Sequence, residues 1–234
     1  SVKYGDTTAG VVEVTTRKPN QQRMAGLVDV NNYATYGVFE GPVSDKISMA
    51  GAFRRSFIDF ILPAVIPEDK LTMTVVPRFY DYQGVFLYEI NNRNDLQLGV
   101  FGSDDGMNMA TEEADLEDPF SGDSFNMRIA WHQFDLHWDT RPTATVMNKL
   151  SAMALYFDQN YEFGADYNLG MYGLVGTLRD DLILAVRDWN ELRAGAEVHF
   201  SQVSLDADVP HAPKEGEPGF NIASENIYAL TVED

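Results

Sequence analysis

Carboxylate and imidazole side chains are the groups in this chain that could bind a metal ion or perform acid–base chemistry. One concentration of them is His132, Asp135, His137 and Asp139, without the His-Glu-x-x-His spacing of a helical zinc site. On an extended strand His132 and His137 point to opposite faces unless a β-bulge lies between them. We therefore interpret this group as polar side chains along a strand and predict no metal site there.

A second concentration is an acidic run whose members lie between residues 103 and 123. It contains Asp104, Asp105, Glu112, Glu113, Asp115, Glu117, Asp118 and Asp123. Hard divalent cations bind several carboxylate oxygens, so Ca²⁺ is the ion that this composition suggests, although the spacing is not that of an EF-hand. The alternative, which we favour, is a solvated loop whose like charges repel one another. No other cofactor is predicted.

No arrangement typical of an enzyme accompanies these residues. The chain has no Gly-x-Ser-x-Gly motif and no cysteine, which excludes thiolate nucleophiles, thiolate metal sites and disulfides. Gly170, Gly173 and Gly176 recur every three residues and match neither the dinucleotide fingerprint nor the P-loop. We expect these glycines to relieve crowding in a curved strand. The sequence thus predicts that the chain is not an enzyme.

The charge balance excludes one class of partner. A formal net charge of −19 and a pI near 4.4 would repel phosphate backbones, so no nucleic-acid partner is expected. No apolar run approaches the ~18 residues that a membrane helix needs.

Alternation of apolar and polar residues, the pattern of β-strands, dominates the sequence. Residues 78–90 place Tyr80, Tyr82, Phe86, Tyr88 and Ile90 on one face and Asp81, Gln83 and Glu89 on the other. Residues 191–201 alternate in the same way, with Leu192, Ala194, Ala196, Val198 and Phe200 on the apolar face. Aromatic residues near both ends of an apolar face are typical of the interfacial girdles of a membrane β-barrel. The core of an aromatic-rich sandwich is the alternative.

Residues 124–139 form a longer alternating stretch in which the phase changes. The apolar side chains fall first at Phe125, Met127, Ile129 and Trp131, and then at Phe134, Leu136 and Trp138. One extra residue near His132 would restore a single apolar face, so we predict a β-bulge there. Strands of this length exceed the usual five or six residues and are ordinary in large barrels.

Connections between the alternating stretches are short and long in turn. The short ones are Ser44–Lys46, Asn91–Asp95, Arg141–Thr143 and Arg187–Asn190. The long ones are Pro63–Pro77, Ser103–Asp123 and Pro210–Glu225, with Tyr161–Asn168 intermediate. Short turns on one side and long loops on the other are typical of outer-membrane barrels. The sequence predicts an all-β fold, an antiparallel transmembrane β-barrel of which about nine or ten strands are present.

Four stretches resemble TonB-dependent outer-membrane receptors. Residues 4–19, YGDTTAGVVEVTTRKP, are similar to the closing segment of their plug domain, with Ala9-Gly10 in place of the usual Gly-Gly. Residues 40–63, EGPVSDKISMAGAFRRSFIDFILP, and 77–83, PRFYDYQ, are similar to early barrel strands, and residues 210–219, PHAPKEGEPG, to an extracellular loop. The resemblance implies that residues 1–20 end a plug domain and that residues 21–234 form part of a barrel.

The resemblance also implies a function and a location. Members of the family take up scarce nutrients such as ferric siderophores, cobalamin, glycans or peptides across the outer membrane of Gram-negative bacteria. The implied partners are the lipid bilayer, lipopolysaccharide, a TonB-type energy-coupling protein and other envelope proteins. We expect a piece of a longer barrel, because a signal peptide, a coupling box and a terminal aromatic residue are not in the sequence.

Charged residues of the strands are the candidate contacts with the barrel interior or the plug. They are Arg17, Arg54, Arg55, Asp81, Arg128 and His132. Because Arg54 and Arg55 are adjacent, one of them faces the apolar side unless a bulge intervenes or the side chain snorkels. We favour ion pairs with carboxylates such as Asp59 or Asp81 over contact with the plug or an anionic substrate.

Two other functions remain open. One is a structural or adhesion barrel of the envelope that does not transport. The other is a secreted β-sandwich that binds carbohydrate through exposed aromatic side chains.

Overall fold

A computed structural model of the chain describes residues 15–65, 73–111, 124–164, 167–187, 190–208 and 221–233. These residues form one antiparallel β-sheet and one short helix. The elements are β1 (Ala25–Val30), β2 (Ala34–Ser44), β3 (Ile47–Ser56), α1 (Ile58–Val65), β4 (Met73–Asn91), β5 (Asn94–Thr111), β6 (Ser124–Thr140), β7 (Val146–Phe163), β8 (Tyr167–Arg187), β9 (Asn190–Asp208) and β10 (Asn221–Glu233).

The ten strands lie in the sheet in the order in which they occur in the chain. Each pairs with its neighbours in sequence, and among the described residues β1 and β10 each pair on one side only, so the sheet is open. The prediction of an all-β fold with antiparallel strands is confirmed.

No helix within the described ranges has the length and apolar content that crossing a membrane requires.

Short turns join the strands at one end of the sheet, which we call the lower end. There β4 and β5 meet at Asn92–Arg93, where the backbone N–H of Arg93 donates to the Asn91 side chain at 2.9 Å. This Asx-turn explains why asparagine stands at the corner. The other end, which we call the upper end, carries α1.

Parts of the three predicted long connections are strand or helix, so their predicted bounds are wrong. Strand β5 continues to Thr111, although the sequence suggested that a loop begins at Ser103. Strand β4 begins at Met73, α1 ends at Val65, and β10 begins at Asn221. In β5 the ladder hydrogen bonds to both neighbours outweigh the low β-propensity of its acidic and glycine residues.

The predicted β-bulge near His132 is also wrong. Strand β6 pairs with β5 and β7 in an unbroken register through His132. Register shifts lie near strand ends instead, between Pro42 and Ser44, Glu89 and Asn91, and Ala185 and Arg187, and near the start of β10. The apolar side chains before and after His132 therefore lie on opposite faces of one continuous strand.

Because successive side chains alternate, adjacent residues of β6 define the two faces of the sheet. We call the face that carries Phe134 the tyrosine face and the face that carries Asp135 the cavity face. By register, the tyrosine face carries Tyr80, Tyr82, Tyr88, Tyr156 and Tyr172.

Candidate functional site

A band of exposed and half-buried apolar side chains crosses the lower and middle part of the tyrosine face. Its members include Met49, Phe86, Leu98, Val100, Phe134, Leu136, Leu178, Val198 and Phe200. Phe134 is 62% exposed and Leu178 is 50% exposed. A contiguous apolar surface of this kind marks contact with a partner or with lipid.

Aromatic side chains border the band above and below. The upper aromatic rim consists of Tyr80, Tyr82, His132, Tyr156 and Tyr172, and the lower aromatic rim of Tyr88 and Trp138. Along β4 the two rims are six to eight residues apart, which is about 20–26 Å of strand at ~3.3 Å per residue. This is of the same order as the ~25 Å apolar height of outer-membrane barrels.

His132 belongs to the upper aromatic rim. Its Nδ1 lies 2.8 Å from the Tyr82 hydroxyl, and the two rings stack with their centroids 6.0 Å apart. The Tyr82 ring lies over Gly102 of the intervening strand, where a Cβ would be 2.5 Å from it. His137 lies on the opposite face, and no group of potential ligands in the described part of the chain could hold a metal ion.

From the row of Tyr80 and Tyr172 upward, the tyrosine face becomes polar and charged. Arg128 pairs with Asp104 at 2.9 Å and with Asp158 at 3.1 Å, and Arg78 pairs with Asp104 at 3.3 Å. Two guanidinium groups thus occupy the Asp104 carboxylate.

The calcium candidates do not form one cluster where the structure describes them. Asp104 and Asp105 lie on strand β5 and point to opposite faces, and Asp105 accepts a hydrogen bond from Ser103 at 3.0 Å. The predicted loop position of these two residues is therefore wrong. The other candidates, Glu112, Glu113, Asp115, Glu117, Asp118 and Asp123, lie outside the described residues.

The lower part of the cavity face is charged. A cavity of about 740 Å³ opens there, and its lining includes Gln97, Asp135, His137, Ser151, Arg179 and Arg193 together with residues 15, 16 and 18. Arg179 bonds to Asp181 at 2.8 Å and to Glu197 at 2.7 Å. Most of the charged side chains that line the cavity are therefore neutralised by other side chains of the same face.

The segment before β1, residues 15–24, is tied to the cavity face by polar contacts. Lys18 pairs with Asp95 at 3.0 Å, and Thr16 accepts a hydrogen bond from Gln97 at 3.1 Å. Arg17 pairs with Glu40 at 2.5 Å, and this hydrogen bond raises the pKa of Arg17. These contacts hold the segment against strands β2 and β5.

From the level of the upper aromatic rim upward, the cavity face is mostly apolar around the charged residues Arg54, Asp81 and Asp105. Its apolar side chains there are Ile129, Trp131, Phe157, Met171 and Leu205, with Phe101 and Leu155 one row below the rim. Higher still, the Phe125 and Phe163 rings contact each other with centroids 5.0 Å apart. The apolar side chains therefore change from one face to the other at the level of the upper aromatic rim.

Arg54 and Arg55 both have carboxylate partners, on opposite faces. Arg54 lies on the cavity face and pairs with Asp81, its direct neighbour on β4, at 2.6 Å. Arg55 lies on the tyrosine face, pairs with Asp59 at 2.7 Å and stacks 4.2 Å above the Tyr80 ring. The hydrogen bond from Arg55 lowers the pKa of Asp59. No bulge separates the two arginines.

The predicted interior contacts divide between the two faces. Arg17, Arg54 and Asp81 lie on the side of the cavity, whereas Arg55, Arg128 and His132 lie on the tyrosine face. Sequence reasoning missed Glu40, Asp95 and Gln97, the partners of the segment before β1. Their positions on the polar side of alternating strands were the available signal.

The chain matches no protein-family model, and no curated protein matches it either. The functional proposal therefore rests on the two faces of the sheet and on the resemblance of its motifs.

Proposed function

We propose that the chain is part of a β-barrel that spans the outer membrane of a Gram-negative bacterium and serves as a TonB-dependent receptor for a scarce nutrient. In this proposal the tyrosine face contacts lipid and the cavity face lines the interior. The observation that carries the proposal is the exchange of polarity between the two faces at one level, the upper aromatic rim.

The tyrosine face has the composition that lipid requires. Between the two aromatic rims, none of the described side chains on this face is charged from β3 to β9. A cationic side chain at the middle of the bilayer costs about 2–4 kcal/mol in a membrane barrel, so an uncharged band is expected there. Tyrosine and tryptophan rings at both borders place their polar atoms near the head groups.

The exchange of polarity supports the proposed position of the membrane surface. Above the rim the outer side of the sheet would face water, which suits the ion pairs of Arg78 and Arg128. Below the rim the inner side would face an aqueous interior, which suits the charged cavity. A single membrane surface at the level of the upper aromatic rim would thus account for the change of polarity along each of the two faces.

The tethered segment before β1 supports the assignment to a plugged receptor. Its contacts with Glu40 and Asp95 hold this segment on the cavity face, which agrees with the plug end that the resemblance implies there. Uptake of a nutrient and binding to the energy-coupling protein and to lipopolysaccharide stay predictions. The assignment of residues 1–20 to the end of a plug domain stays a prediction as well.

The sandwich alternative requires a second sheet against the tyrosine face. None of the described residues forms one, because all ten strands belong to a single sheet. The adhesion alternative shares the same membrane-spanning sheet and differs only in the absence of uptake.

Spin labels on adjacent residues test the proposed faces. The chain has no cysteine, so Phe134→Cys and Asp135→Cys each give one labelling site in it. In bilayers, the label at 134 should collide mainly with oxygen, which dissolves in lipid, and the label at 135 mainly with a water-soluble nickel complex. Equal nickel access at both positions, or protection of residue 134 from both reagents, would overturn the membrane proposal.

A growth comparison tests uptake separately. Deleting the gene and, in another strain, the energy-coupling gene should impair growth on the same nutrient, chosen from ferric siderophores, cobalamin, glycans and peptides. Normal growth on every one of these nutrients, with loss of surface attachment, would favour the adhesion barrel.

A further inference from the structure

We infer that α1 is a membrane-surface anchor whose exposed apolar side chains, Phe60, Ile61 and Val65, enter the outer lipid leaflet beside the upper aromatic rim. The inference rests on the proposed function, because it requires that the tyrosine face contacts lipid.

The fold places α1 at the border of the apolar band. The helix follows β3 after one residue and packs against β4, the strand that carries Tyr80 and Tyr82. The chain is held just before α1 by the backbone N–H of Phe57, which donates a hydrogen bond to the Tyr33 carbonyl at 2.7 Å. The helix therefore lies at the level of the upper rim.

Arg55 connects α1 to the tyrosine face. Its guanidinium lies 4.2 Å from the centre of the Tyr80 ring and 5.2 Å from the centre of the Phe60 ring, and it forms two hydrogen bonds with Asp59. Cation–π contacts and a two-bond ion pair fix the orientation of the helix on the sheet. The charged group of the first turn, the Asp59 carboxylate, therefore faces the protein.

Ile61 and Val65 lie on the side of α1 that points away from Asp59, and these two side chains, together with Phe60 between the two sides, have little protein cover. Phe60 is 67% exposed, Ile61 is 43% exposed and Val65 is 70% exposed. Ile61 and Val65 are four residues apart and so share one side of the helix. Asp59 is the only charged residue of α1, and its partner Arg55 neutralises it.

Lipid is the occupant that this surface fits best. Arg55, which contacts both Phe60 and Tyr80, places α1 beside the upper aromatic rim, where Tyr80 and Tyr82 are themselves 38% and 42% exposed. A helix with an apolar outer side and no net charge can enter the boundary between head groups and acyl chains.

Nitroxide labels measure the depth of α1. Ile61→Cys and Val65→Cys would be labelled in the full-length protein in bilayers, beside Phe134→Cys in the band and Asp135→Cys on the cavity face. These two positions avoid Phe60, whose ring contacts Arg55. The oxygen-to-nickel collision ratio at 61 and 65 should lie above the ratio at 135 and below the ratio at 134.

The outcomes separate the anchor from the function on which it rests. If residue 134 is lipid-exposed while 61 and 65 collide with nickel as freely as bulk water allows, the anchor is wrong and the barrel stands. Protection of 61 and 65 from both reagents would show a protein cover and would also overturn the anchor. Nickel access at 134 would remove the membrane proposal and the anchor with it.

A second variant guards against a local effect of the label. Ile61→Ser should increase nickel access at a label on Val65, because the helix loses one of its apolar contacts with lipid. Val28→Ser, on strand β1, is the matched control and should leave that access unchanged. An unchanged ratio in Ile61→Ser would contradict the anchor.

Discussion

Gly170, Gly173 and Gly176 lie in the same strand, yet the space around them differs. A Cβ at Gly173 would lie 2.5 Å from the backbone carbonyl oxygen of Gln202 and 2.9 Å from the Phe157 ring. At Gly170 and Gly176 the nearest atoms would be 3.7 Å away, which is ordinary contact. The expectation that glycine relieves crowding thus holds at Gly173 and not at the other two.

We predict that Gly173→Ala lowers the free energy of unfolding by about 1–3 kcal/mol, the usual cost of overpacking. The obstructing atom belongs to the backbone of β9 and cannot rotate away. Gly176→Ala is the control, and it should be neutral or stabilise by up to about 1 kcal/mol, because it restricts the unfolded chain. Denaturant titration in lipid vesicles measures both, and equal losses would contradict the packing.

The ion pair between Arg55 and Asp59 gives α1 a dependence on pH. The pKa of Asp59 is lower in the folded protein than in the unfolded chain, because Arg55 donates hydrogen bonds to it. The stabilisation is therefore present above the unfolded pKa, about 3.9, and is lost as the pH falls through the folded value.

We predict that a label at Val65 becomes more mobile when the pH is lowered from about 6 to below about 3, because protonated Asp59 no longer pairs with Arg55. The measurement is the nitroxide line shape. In Asp59→Asn the label should already be mobile at neutral pH and should change less on acidification. A response as large as that of the parent protein would assign the effect to other carboxyl groups.

At the scale of the strands, neighbouring residues should differ sharply in what they tolerate. We predict that Phe134→Arg, on the proposed lipid face, destabilises the protein by about 2–4 kcal/mol. Gln133→Arg should cost much less, because it faces the cavity side next to Asp135, which Gln133 already contacts at 3.0 Å. Unfolding titrations in vesicles of defined thickness compare the two, and similar losses would show that lipid does not cover the band.

The alternation in the sequence predicted the faces of single strands well, because a pleated strand has a fixed period of two. Tyr80, Tyr82, Tyr88 and Leu192 lie on the predicted apolar faces. The change of phase at His132 marks no bulge, because the sheet keeps its register there and the apolar side chains lie on opposite faces before and after this residue.

At the scale of the whole chain, the segment before β1 is held by a few exposed ion pairs. We predict that Glu40→Gln loosens it, because Glu40 accepts hydrogen bonds from both Arg17 and the backbone N–H of Asn20. Trypsin should then cleave faster after Arg17. Glu162→Gln, on the other face, is the control, and faster cleavage in both variants would contradict a specific tether.

These tethers could not be predicted from local patterns. Lys18 and Asp95 are 77 residues apart, and Gln97 and Thr16 are 81 residues apart. Which side chains meet across such distances depends on the register of every intervening strand, and periodicity does not encode it. Arg54 and Asp81 could be suggested from sequence because they occupy consecutive strands that pair directly with each other.

Every described strand of this sheet pairs only with strands next to it in the chain. Each new ladder therefore closes a short stretch of polypeptide, and the entropy lost per closure stays small despite the size of the sheet. The sheet can form sequentially, one strand pair after another, because each strand that has already paired serves as the template for the next one. A substitution that prevents one strand pair from forming would leave the pairs formed before it intact. It would block only the strand pairs that follow.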